Sequence, residues 1–333
     1  MLKIFIIGIT GQDGINLAQL LLHKSGFDIY GCYRDDNKLQ NISDIIDKIH
    51  LLKFDLTNRD LIEKTFQKYL PDLIFNFASS QPQYNESNIK MFEVNTMSTL
   101  YLLDCIIKYK KKCKYLSSGS CLEFDNNEQK IVNLTSKCNP SGIYGITKLT
   151  NRHLINYYRN NYNIYAIHVV LFNHESSNRN ELFATKKIAK GLTHIKYCID
   201  NKIEFSSLKV GNIFSQRDWG DSRDYVEAMW LMINNDKPIN YILSSNEEHT
   251  LKNYIDLCCE YLGMNDINWL NDKLYFNNML ILESDHTLYR TNDKNLIGDN
   301  TETLKILNWK PKYSFENMVR DIINFELQIL FVP

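Results

Sequence analysis

The stretch Gly8-Ile9-Thr10-Gly11-Gln12-Asp13-Gly14 closes a short apolar run, Lys3 to Ile7. It opens a segment, Asn16 to His23, in which Leu17, Leu20, Leu21 and Leu22 fall at helical spacing. Strand, glycine turn and helix, in that order, decide the reading of the fold. Glycine in such a turn permits positive φ and a close approach of backbone to a ligand. The first helical turn then offers unpaired N–H groups to a pyrophosphate. Gly8, Thr10, Gly11, Gln12, Asp13 and Gly14 are therefore candidate contacts for a dinucleotide cofactor. The spacing is G-x-x-G-x-x-G rather than G-x-G-x-x-G, and a tight turn without ligand is the alternative.

Outward from this turn, strand-like and helix-like segments alternate. Ile29–Tyr33, Ile49–Phe54, Leu73–Phe77, Lys114–Ser118 and Tyr165–Phe172 read as further strands. Leu61–Tyr69, Met91–Tyr109 and Ile143–Arg159 read as helices between them. Apolar strands that barely alternate, each followed by a helix, imply a parallel sheet covered on both faces. The expected fold is α/β, a Rossmann-type doubly wound parallel sheet over residues 1–173. After residue 173 segments shorten and loops lengthen. Ser222–Asn234, Lys252–Leu262 and Asn317–Leu330 read as helices, and Met264–Leu282 has no clear period. Residues 174–333 are expected to form mainly a smaller, interleaved α/β domain, with later segments returning to the first.

The 333 residues are 44% hydrophobic and 23% charged, with a formal net charge of -1. That composition suits an ordinary soluble domain and gives no basis for nucleic-acid binding. The one basic cluster, Lys110 to Lys112, sits before an apolar strand and reads as a solvated helix end. The 8 cysteines form no C-x-x-C pair, so no metal site is expected. The apolar start is short and interrupted by Gly11 to Gly14, which is neither a signal peptide nor a membrane span. A cytoplasmic location with reduced thiols is expected.

The end of the second strand usually selects the cofactor. An acidic residue there binds a ribose 2′-hydroxyl, and an arginine favours a 2′-phosphate. Arg34 points to NADP, but Asp35 and Asp36 follow it, so NAD stays open. Asp55 and Leu56 end the third strand, where an adenine could be contacted. Asp55 as a helix cap is the alternative. Phe77, Ala78 and Ser79 end the fourth strand, near the expected nicotinamide ribose. Tyr144-Gly145-Ile146-Thr147-Lys148 sets a phenol and an ammonium group on one helical face. A neighbouring ammonium stabilises tyrosinate, so Tyr144 could take a proton from a sugar hydroxyl as hydride leaves for the cofactor. Lys148 could also hold the cofactor ribose. Surface placement of both is the alternative.

Several stretches together resemble the GDP-mannose 4,6-dehydratase family, in the extended short-chain dehydrogenase/reductase superfamily. They are Gly8 to Gly14, Leu171-Phe172-Asn173-His174-Glu175-Ser176, Phe183-Ala184-Thr185-Lys186-Lys187-Ile188 and Asn308-Trp309-Lys310-Pro311. The most specific is Arg217-Asp218-Trp219-Gly220, continued by Arg223-Asp224-Tyr225-Val226-Glu227-Ala228-Met229-Trp230. The resemblance covers nearly the whole chain, in order. It implies that Asn173, Lys187 and Arg217 lie along a GDP-sugar, and that Leu171, His174 and Arg179 lie near the cofactor. It also implies that Arg290 and Asp293 belong to a late substrate segment, on a loose fit. It further implies a homodimer or homotetramer. Asp35, where the family has a second arginine, weakens the tetramer. The implied reaction is an internal redox cycle. Hydride leaves C4 of the sugar, water is eliminated across C5 and C6, and hydride returns to C6.

The match frays after the fifth strand. Relatives carry Thr-x-Glu there, and an ungapped alignment sets Gly119 at the threonine and Cys121 at the glutamate. A small bulge would let Ser120 and Glu123 fill these catalytic roles. Otherwise elimination is lost and C4 oxidation or 4-epimerisation remains. The loop Ser79 to Tyr84 also departs from the family's Gln-Ser-His, which admits another GDP-sugar such as a GDP-heptose. A non-catalytic nucleotide-sugar binder is the remaining alternative.

Overall fold

The structure is a computed structural model that describes residues 1–125, 128–289 and 295–330. Its first five strands are β1 (Leu2–Ile7), β2 (Phe27–Tyr33), β3 (His50–Lys53), β4 (Leu73–Asn76) and β5 (Lys114–Ser118). β6 (Ile131–Val132) lies apart, and β7 (Ala166–Leu171) rejoins the sheet. β8 (Asn173–Glu175), β9 (Leu208–Val210) and β10 (Gln216–Asp221) lie outside it, and β11 (Tyr241–Leu243) is its last strand. The seven sheet strands run in parallel in the order β11-β7-β5-β4-β1-β2-β3. Strand order therefore reverses between β1 and β4. In open α/β sheets the crevice at such a reversal, beyond the carboxyl ends of the strands, is where ligands bind.

The helices are α1 (Gln12–Lys24), α2 (Arg59–Tyr69), α3 (Asn88–Phe92), α4 (Ser98–Tyr109), α5 (Ile143–Tyr162), α6 (Ala184–Asp200), α7 (Ser222–Ile233), α8 (Leu251–Tyr261), α9 (Thr301–Leu307) and α10 (Phe315–Leu330). One sheet face is covered by Leu17 and Leu21 of α1 with Met229 and Met232 of α7. The other is covered by Phe66 of α2, Ile106 of α4 and Ile155 of α5. Both faces of a strand such as β1 are thus buried, which explains its unbroken apolar run. No described helix is long and apolar enough to cross a membrane.

Local signals place the ends. Asn58 caps α2 by accepting a hydrogen bond from the Leu61 N–H at 3.0 Å. The helix stops at Leu70, whose φ is 47°, just before Pro71. Met91 to Tyr109 is not one regular helix: a π-helical turn, Glu93–Met97, separates α3 from α4. Two elements depart from the sequence reading more fully. Residues 184–200 form a helix of nearly five turns, α6, where only short segments were expected. The unassigned stretch Met264–Leu282 folds into the antiparallel strands Ile267–Leu270, Lys273–Phe276 and Met279–Ser284. They pack with α6, α8 and α10 around Trp219, Tyr254 and Phe315.

Candidate active site

The glycine turn leads directly from β1 into α1. Gly8 has φ +90°, and a Cβ there would sit 2.9 Å from the Ala78 nitrogen. A Cβ on Gly14 would meet the Gly8 carbonyl oxygen at 2.4 Å. The turn is therefore packed too tightly for side chains at either position. Gly11 caps α1 without any side-chain hydrogen bond, so the first N–H groups of the helix have no side-chain cap. A cradle closed by absent Cβ atoms, at an uncapped helix N-terminus, fits a dinucleotide pyrophosphate. Thr10 lies in the turn, with its carbonyl accepting from Asn41.

Gln12 and Asp13 tie this turn to β8. Gln12 donates to the His174 carbonyl at 2.9 Å and accepts from the Ser176 hydroxyl at 3.1 Å. His174 Nδ1 lies 2.7 Å from the Phe172 carbonyl, and its Nε2 lies 3.0 Å from Asp13. A carbonyl can only accept, and so can the ionised Asp13 carboxylate, so a proton on each ring nitrogen satisfies both contacts and makes the pair an ion pair. Burial opposes charge on each group. The partner's charge outweighs it, lowering Asp13 to about 2 and raising His174 above its ordinary value.

The other residues expected to meet a cofactor lie at or just after the strand ends. Leu171 ends β7 and is buried. Phe77 and Ala78 donate their N–H groups to the Ile7 carbonyl. Asp55 accepts from the N–H and hydroxyl of Thr57, both at 2.9 Å, while Leu56 is buried. Asp55 thus turns the chain ahead of α2 and is not its cap, which is Asn58. Arg34, just after β2, faces Glu86 at 3.5 Å.

Tyr144 lies in the first turn of α5, and Lys148 lies one turn on. The Lys148 Nζ is 5.4 Å from the centre of the Tyr144 ring. It donates to the Ser118 carbonyl at 2.8 Å, at the end of β5. Burial lowers Lys148 to about 8, against the opposing charges of Glu123 and Asp13. Burial raises the Tyr144 phenol, offset in part by a hydrogen bond with Ser79 and the charge of Arg179, while Cys121 and Tyr84 act to raise it. Ser79 donates to Asn95 at 3.1 Å. Asn95 is in the π turn and is 3% exposed. Its side chain also takes the Ser80 N–H at 2.7 Å and donates to the Thr147 hydroxyl at 3.1 Å. This one amide joins the β4 loop to α5. Sequence reading missed it, although a polar run, Asn95 to Thr99, inside an apolar helix was the signal.

Ser120 and Glu123, expected to reach the catalytic roles through a small bulge, lie at a short helical turn, Cys121–Phe124. Glu123 is fully buried beneath the turn, paired with Arg152 and His168, each at 2.9 Å. Its Oε1 also accepts the Ser120 N–H at 3.1 Å. The Ser120 hydroxyl accepts the Leu122 N–H at 3.2 Å. Both side chains cap their own short helical turn, Cys121–Phe124. Of this turn, Cys121 is the residue that acts on Tyr144, and burial pushes its own thiol up to about 12 while Arg217 acts to lower it.

Of the residues expected to meet a substrate, Asn173 pairs in register with Trp219 of β10, so β8 and β10 bring Asn173 and Arg217 onto adjoining strands. Arg179 is 3.0 Å from Glu175 and lies over the Phe183 ring at 3.6 Å. Lys187 is exposed on α6 and donates to the Lys209 carbonyl at 3.0 Å. Arg290 and Asp293 lie outside the described residues.

The profile of the family described as GDP-mannose 4,6 dehydratase matches residues 5–322. The chain belongs to the GDP-mannose 4,6-dehydratase family. Among curated members of this family, GDP-mannose 4,6 dehydratase 1 of Arabidopsis thaliana is 30% identical over 343 residues, covering 97% of this chain and 89% of that protein. The fold is shared more widely. The dTDP-glucose 4,6-dehydratase of Bacillus anthracis, solved with NAD, superposes with a TM-score of 0.79 at 17% identity, covering 98% of this chain and 96% of the other. RMD from Pseudomonas aeruginosa, solved with NADPH, gives 0.78 at 17% identity, over 99% and 100%.

Proposed function

We propose that this member of the GDP-mannose 4,6-dehydratase family converts a GDP-hexose to its 4-keto-6-deoxy form on a retained nicotinamide dinucleotide. The observation that carries the reading is Lys148, anchored on the Ser118 carbonyl, set beside the Tyr144 ring and acted on by the charge of Asp13 in the glycine turn. When bound, the nicotinamide supplies the acceptor and donor of hydride. Tyr144 takes the proton of the C4 hydroxyl, and Lys148 stabilises the resulting phenolate charge. The new ketone acidifies the proton on C5, whose removal expels the C6 hydroxyl as water. Arg217 and Lys187 supply positive charge toward the diphosphate, with Asn173, Arg290 and Asp293 as further substrate residues. Arg34 supports NADP as the finer choice of cofactor, with Leu171, His174 and Arg179 on the cofactor side. Residues 1–173 serve the cofactor and 174–333 mainly the nucleotide sugar. A homodimer or homotetramer in the cytoplasm is part of the same reading.

Incubation with GDP-mannose and mass spectrometry test it. A product lighter by one water, with no net change in reduced cofactor, is expected. Failure to dehydrate this or any other GDP-hexose would overturn it.

One observation favours a second reading, C4 oxidation or 4-epimerisation without dehydration. Cys121 falls where the family resemblance sets a carboxylate, and Glu123, two residues on, is fully buried. A ketone or epimer of unchanged oxygen count would be its product.

A further inference from the structure

Glu86 holds a position that the cofactor reading leaves unexplained. It comes from the loop after β4, yet it reaches the turn after β2. Its Oε1 faces the Arg34 guanidinium at 3.5 Å, and its Oε2 accepts the Ser80 hydroxyl. Ser80 is itself immobilised: it is 2% exposed, and Asn95 takes its N–H and donates to its carbonyl at 3.0 Å. One carboxylate oxygen is thus fixed to the core and the other is presented to Arg34. A second contact spans the same gap, since the Lys38 ammonium lies 5.5 Å from the Tyr84 ring centre.

The two aspartates beside Arg34 are engaged elsewhere. Asp35 accepts the Asn37 N–H at 3.0 Å, and Asp36 pairs with Lys53. The acid that meets Arg34 is therefore Glu86, far away in sequence. Arg34 follows the strand whose end meets the adenosine ribose in dinucleotide folds. A 2′-hydroxyl carries no charge and can leave the Arg34–Glu86 contact in place. A 2′-phosphate brings close to two negative charges and must take Arg34 from a carboxylate that Ser80 holds still.

We propose that Glu86 selects the cofactor by competing with a 2′-phosphate for Arg34, tempering NADP binding relative to NAD. The inference rests on the dinucleotide reading of the glycine cradle. It concerns binding, and binding tests it apart from turnover.

The full chain, stripped of nucleotide, is titrated with NAD⁺ and NADP⁺ by calorimetry. Glu86→Gln is expected to tighten NADP⁺ about threefold, the scale of a half-exposed ion pair, and to leave NAD⁺ unchanged. Arg34→Ala should weaken NADP⁺, and the gain from Glu86→Gln should vanish in the double variant. Equal effects on both dinucleotides, or a gain that survives without Arg34, would overturn the proposal. Thermal melting of each variant checks that the loop substitution leaves the fold intact. If the unaltered chain binds neither dinucleotide, the cradle reading itself fails, and that result is distinct from unaltered selectivity.

Discussion

A Cβ on Gly119 would lie 2.7 Å from Oε1 of Glu123, so the carboxylate of one residue fills the space that the other leaves free. The same Cβ would lie 2.4 Å from Nε2 of His168. The glycine at position 119 and the buried Glu123–His168–Arg152 cluster are two sides of one packing solution. Gly119→Thr should therefore destabilise the protein by about 1–3 kcal/mol, the usual cost of overpacking. Urea unfolding measures it, and an unchanged midpoint would refute this account of Gly119.

Glu123→Gln removes a buried charge from two partners and leaves Arg152 uncompensated. A stability loss of about 3 kcal/mol is expected. Burial acts to raise Glu123, but His168 and Arg152 hold it below the usual range. Its contribution is therefore present above the ordinary glutamate value and lost as pH falls through the folded one. Folded variant should keep its product distribution. A stable protein that specifically stopped eliminating water would restore Glu123 as a catalytic acid.

Tyr144→Phe should lower turnover about a hundred- to ten-thousandfold while leaving nucleotide affinity within a small factor. Single-turnover reduction of bound cofactor checks this directly. Unchanged turnover would remove the phenol from the proton transfer.

Lys148 predicts opposite trends for activity and stability in alkali. Its folded value, about 8, lies below the ordinary 10.5, so the unfolded chain binds more protons between those limits. Stability from this group rises with pH across that window. Activity should fall over it, because the neutral amine cannot balance a phenolate. Lys148→Arg should move the alkaline limb of the pH–rate profile upward. A limb that stays put assigns it to another group.

Cys121→Glu should increase the share of dehydrated product over C4 ketone, since it puts a carboxylate at the position where the family resemblance sets one. Mass spectrometry of the two products gives the ratio. An unchanged ratio would mean that position 121 plays no part in elimination.

The first half of the fold was legible because buried parallel strands and their covering helices leave simple apolar periods. β1 and β5 are examples. Side-chain direction was not legible. Glu123 and Cys121 differ by two positions in a tight turn, and only the packing against His168 and Arg152 shows that Glu123 is the buried one. The π turn at Asn95 was hidden for a similar reason. It is held by Ser80 and Thr147, which are distant in sequence. α6 escaped notice because Thr185, Gly191 and Thr193 interrupt its composition. Its buried positions Ile188, Leu192 and Ile195 still follow the helical repeat. β11 is only three residues long, too short for any period to register.

That short strand governs what can be cut. Tyr241, Ile242 and Leu243 pair with Val169, Val170 and Leu171, and Phe172 donates to Leu243 at 2.9 Å. A fragment ending at residue 173 would bare this apolar edge together with the face that Met229 and Met232 cover. On the ribosome the same rim stays open until some seventy more residues emerge, which makes nascent chains of that length natural clients for chaperones.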